Sequence, residues 1–174
     1  MRLAIDVAPA CSAIPNTESR IELGGVCYYT LGARTLTPYD QLSSWNDRCA
    51  CLSGRRTSKL AVFPDPTTQP ALRAMGFPLN DFYLIGGRQI PPNMDRMPCR
   101  LLPTPSPHCL DWFWMEWDGS IIGPIDTAQF GDMGRDFGNT NPHEAATGVF
   151  SYKDGIQDVN PANYLAKTMC QFTI

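Results

Sequence analysis

Near the start of the chain, Leu3, Ile5 and Val7 alternate with Ala4 and Asp6, and this period of two predicts a short strand over 2–11. A second apolar run, IELGGVCYYT at 21–30, predicts another strand, so a terminal hairpin is expected over about 2–30. The period then changes. Leu42, Trp45 and Cys49 fall at i, i+3 and i+7, one face of a helix over 38–51. Pro38 suits its first turn and Gly54, just past the periodic residues, supplies its stop. Residues 60–63 (LAVF) read as a strand, and 67–75 as a second helix with cap-like threonines at its start and Gly76 at its end. FYLIGG at 82–87 reads as a buried strand. The proline-rich stretch 91–107 holds no regular element, because proline lacks the backbone donor that ladders and helices use. In DWFWMEWDGS the large residues alternate, Trp112 and Trp114 on one face and Phe113, Met115 and Trp117 on the other, until Asp118 and Gly119 turn the chain. From there to Pro142 the sequence is rich in Gly, Asp and Asn with little periodicity. Residues 148–152 and 168–174 read as closing strands.

Composition sets bounds on this pattern. A chain of 174 residues is expected to form one domain, 1–174, and 43% hydrophobic with 18% charged residues is enough for a packed interior. The net charge of −3 argues against a partner bound through its phosphates, so nucleic acid is not expected. No apolar run approaches the roughly 20 residues that a membrane helix needs. Seven cysteines without a C-x2-C spacing fit oxidised pairs better than a zinc cluster and point to an extracellular, secreted protein. The apolar stretch in MRLAIDVAPAC is too short for a signal-peptide core, so any leader is expected outside this sequence. Seven is odd, so one thiol is left over. Gly 14 and Pro 16 favour short elements joined by many loops over a helical bundle.

Taken in order, these segments resemble a C-type lectin-like domain, the long form with an extra N-terminal hairpin, over most of the chain from about Cys11 to Phe172. The carriers are Cys27-Tyr28-Tyr29, the Leu42/Trp45/Cys49 helix face, Leu60-Ala61-Val62, and Tyr83-Leu84-Ile85-Gly86-Gly87 in place of the family's Trp-Ile-Gly-Leu strand. Trp114, Trp117-Asp118-Gly119-Ser120 and Cys170-Gln171-Phe172 complete the set. The fold this implies is α+β: two helices packed on short antiparallel sheets, a long irregular loop region over about 88–147, and disulfide staples. The resemblance implies Cys11 paired with Cys27 and the first helix tied to Cys170. Cys49 is the better candidate for that bridge, since it shares the face of Leu42 and Trp45. Cys51 is then the odd cysteine, roughly 200° around the helix, expected to be accessible and to join another chain or a small thiol. Cys99 and Cys109 bracket the proline-rich loop and are expected to staple it.

Sugar-binding members of the family hold calcium with a Glu-Pro-Asn or Gln-Pro-Asp triplet, a further Glu, and Trp-Asn-Asp on the next strand; calcium takes about six to eight such oxygens. Here FGDMGRDFGNTNP at 130–142 has no triplet, and Ile156-Gln157-Asp158 keeps only the Asp of the strand motif. The tentative ligand-binding set is therefore Asn139, Asn141, Glu144 and Asp158, with Glu144 and Asp158 as the tentative calcium ligands. Asp132 and Asp136 lie close by in sequence. The plainer reading of the same residues is a solvated polar loop, since Gly/Asp/Asn clusters usually serve turns. No cofactor is firmly implied, and calcium is the one the resemblance allows. His108 and His143 lack ligand-like spacing, and no G-x-S-x-G, H-E-x-x-H, P-loop or G-x-G-x-x-G occurs, so no enzyme activity is expected. The tryptophans read as core rather than as a sugar-stacking platform. The expected function is an extracellular recognition module for a protein or glycan ligand without the family's standard calcium-dependent sugar binding. The alternatives are a calcium-dependent carbohydrate-binding lectin, and a structural subunit of an assembly linked by disulfides through Cys51.

Overall fold

Two glycines decide how the described part of the chain begins. Gly24 and Gly25 take φ of 59° and 76°, the left-handed region that glycine enters without a Cβ clash, and two such residues in a row make the tight turn whose twist suits a hairpin. The run 21–30 therefore folds back on itself: β1 (Arg20–Leu23) pairs antiparallel with β2 (Val26–Thr35), Leu23 opposite Val26. This corrects the expectation of one strand there. The computed structural model describes residues 17–35, 46, 48–50, 58–78, 83–89, 112–129, 149–152, 155–158 and 165–174, some of them by backbone alone, and the expected strand 2–11 lies outside them.

The last strand, β10 (Leu165–Thr173), is the hub. One edge pairs antiparallel with β2 from Leu165↔Thr35 to Thr173↔Val26. Its other edge is divided. β3 (Lys59–Leu60) pairs antiparallel at Cys170 and Gln171, and β4 (Tyr83–Ile85) pairs parallel at Lys167 and Thr168. Beyond β4 lie β8 (Val149–Tyr152) and β9 (Gly155–Asp158), completing a seven-stranded sheet in the order β1-β2-β10-β4-β8-β9 with β3 beside β10. A three-stranded sheet, β5-β6-β7, is built from Gly87–Gln89, Trp112–Met115 and Ile121–Pro124. The described residues are thus a mixed helix and sheet structure, but the expectation of short antiparallel sheets is corrected: the larger sheet has seven strands, one pair of them parallel. Within the region expected as irregular, 88–147, the described residues hold β6, β7, the last two residues of β5 and a 3-10 turn at Thr127–Gln129.

Gly86 separates the two sheets. A Cβ there would lie 2.8 Å from Val62 Cγ1 and 3.1 Å from the Leu60 carbonyl oxygen, so only glycine lets the two backbones pass this closely. Its N–H donates to the Ala61 carbonyl at 2.7 Å and its carbonyl accepts from the Met115 N–H at 2.9 Å. The expected strand 82–87 is divided at this point, β4 before Gly86 and β5 after it. Residues 61–63 are buried beside β10 and borrow a side chain to complete their bonding: the Ala61 N–H donates to the Met169 carbonyl, and the Val62 N–H to Gln171 Oε1, both at 2.8 Å.

The second helix spans Thr68–Ala74. Its end follows the sequence signal, for Gly76 at φ 84° allows the Gly76 N–H to reach the Arg73 carbonyl and the Phe77 N–H that of Leu72. Its start does not. The Thr67 side chain caps no helix N–H; instead Asp65 Oδ1 accepts from the Thr67 amide at 2.8 Å and its hydroxyl at 2.7 Å. Of the first helix, Asn46 and residues 48–50 are described and are helical, while Leu42, Trp45 and Cys51 lie outside the described residues. Cys49 and Cys170 form a disulfide across 121 positions, with Cα atoms 5.8 Å apart.

One core lies between these parts. Tyr28, Ala61, Val62, Phe63, Leu72, Phe77, Tyr83, Ile85, Trp112, Trp114, Ile125, Ile156 and Met169 pack as one cluster. The aromatic rings give it its bulk. Phe63 stacks with Tyr28 at 6.1 Å between centroids and meets Trp114 edge-on at 5.8 Å.

Candidate functional site

The pairing of β4 with β8 sets Ile85 opposite Val149, so residues 86–148 leave the large sheet and return to it at one place. The pairing of β2 with β10 closes the larger circuit outside it, Val26 opposite Thr173. The chain is therefore organised as an inner excursion held at its base by sheet hydrogen bonds. The sequence-expected ligands divide accordingly. Asn139, Asn141 and Glu144, with Asp132 and Asp136, fall in the excursion and outside the described residues. Asp158 ends β9, its backbone opposite Val149 at that base. The structure thus places the backbone of one of the four tentative residues, and the other three lie outside the described residues. Among the described residues no group of three His, Cys, Asp or Glu side chains is arranged to hold a metal ion. Cys27 is buried and disulfide-bonded; Cys11, Cys51, Cys99, Cys109, His108 and His143 lie outside the described residues.

The described part of the excursion includes one surface feature, the β6–β7 hairpin. Trp112 and Trp114 are fully in the core, but Trp117 is 46% exposed, and Ile121 and Ile122 are 51% and 36% exposed. The alternation breaks where the register shifts between Trp114 and Met115, which lets Met115 stay buried as well. The turn that carries Trp117 is tightly bonded: the Glu116 N–H donates to the Ser120 carbonyl, and the Gly119 N–H to that of Glu116. Asp118 Oδ1 accepts from the Ser120 amide and hydroxyl at 2.9 and 2.7 Å. Those bonds, the hydroxyl's first, hold the Asp118 carboxyl below its ordinary value, and the Lys59 charge adds to the effect. Asn46 and Lys59 anchor the turn to the core. Asn46 donates to the Trp117 carbonyl while its own Oδ1 takes the Leu60 N–H at 2.8 Å, and Lys59 Nζ sits 2.8 Å from Glu116 Oε1. Trp117, Ile121 and Ile122 are thus large apolar side chains open to van der Waals contact with a partner.

A separate cleft opens between the β1–β2 turn and the second helix. It has a volume of about 340 Å³ and is lined by Leu23, Gly24, Val26, Tyr28, Asp65, Thr67, Thr68 and Ala71. Burial pushes the Tyr28 phenol above its ordinary value of 10.0, and the nearby Asp65 charge pushes it the same way. Asp65 is itself held low by its two bonds from Thr67, the hydroxyl's first. Reading the sequence missed Asn46, Lys59, Asp65 and Tyr28 as positioning residues. The one available signal was Pro-Asp-Pro-Thr before the second helix, where an Asp two residues ahead of a Thr favours such a turn.

No family model matches this chain and no curated protein matches it. Among solved structures it is similar to a Ca2+-dependent type II antifreeze protein in its Ca2+-free form, at 16% identity over 88% of this chain and 97% of that one, with a TM-score of 0.47.

Proposed function

We propose that this chain is an extracellular binding module of the C-type lectin-like type, which recognises a protein or glycan partner through the excursion 86–148 and without the family's standard calcium chemistry. The observation that carries the reading is the closed base: Ile85 opposite Val149 lets a long segment vary in sequence while the sheet beneath it stays fixed. Two further features support it. Cys49–Cys170 and the bonded Cys27 fit an oxidising compartment. The missing triplet at 130–142 removes most of the oxygens that calcium-mediated sugar binding needs. The mechanism is recognition alone, with no bond made or broken. Arrays of extracellular proteins and of glycans, probed in calcium and again in chelator, test it. The reading expects a ligand whose capture survives the chelator; sugar capture that chelator abolishes makes the chain a calcium-dependent lectin instead.

A further inference from the structure

We draw no further inference here: the strongest candidate, the exposed apolar surface of Trp117, Ile121 and Ile122 on the β6–β7 hairpin, belongs to the excursion already described, and nothing in the structure shows what covers it.

Discussion

From one buried position on the first helix, Asn46 bonds two other parts of the molecule: β3 through the Leu60 N–H, and the Trp117 carbonyl. Asn46→Ala leaves the Leu60 donor buried and unmet, and is expected to lower stability by about 1–3 kcal/mol in urea unfolding. Gly86→Ala drives a methyl against Val62 and the Leu60 carbonyl, with an expected loss of about 1–3 kcal/mol by the same measurement. At Asp65 the effect depends on pH. A carboxyl whose folded value is depressed contributes stability above its unfolded value of 3.8, and that contribution is lost as pH falls through the lower folded value. Wild type is therefore expected to lose more stability than Asp65→Asn between about pH 5 and pH 2, by a small margin because the group is exposed. Cys49 was legible as a core-facing residue because it shares a helical period with Leu42 and Trp45. Asn46 was not, since an Asn that bonds a distant strand looks in sequence like any solvated Asn.

At the scale of elements, the two-glycine turn was written in the sequence and misread, because a single long apolar run outweighed the Gly-Gly signal within it. Gly25→Val forces a branched residue to φ 76° and is expected to destabilise the chain, whereas Gly24→Asn, a residue that tolerates this region, is expected to be near neutral. Thermal unfolding of both variants checks this. β7 was illegible for a different reason: its four residues, IIGP, face largely outward and include Gly and Pro, so no alternation survives. β9 is equally short and carries one buried apolar residue, Ile156. The β6 tryptophans, by contrast, follow their pattern into the core. Trp114→Ala is expected to cost about 3–5 kcal/mol and Trp117→Ala less than about 0.5 kcal/mol, so a Trp117→Ala chain that unfolds normally but binds its ligand poorly places the hairpin in the recognition surface.

The described residues are tied together through their last strand. β10 meets β2, β3 and β4, and the disulfide from Cys49 fastens the first helix to the same strand. In the chain-entropy model a closure of this length contributes on the order of 5 kcal/mol, so the Cys49→Ser, Cys170→Ser double variant is expected to unfold at markedly lower urea. Such long-range closure is what the sequence conveys least. Strand identity came from local period, but the parallel β4–β10 pair and the seven-stranded order depend on which distant edges meet, and no local pattern encodes that. The tentative oxygen ligands were read from residues whose roles turn on the same distant geometry, and only the backbone of Asp158 is placed. The central claim is that ligand is recognised by the excursion 86–148 on a fixed sheet. Hydrogen exchange of the chain with and without the ligand recovered from the arrays tests it most directly: the account predicts slowed exchange within 86–148 and none gained in β1, β2 or β10, while new protection in those strands with 86–148 unchanged would contradict it.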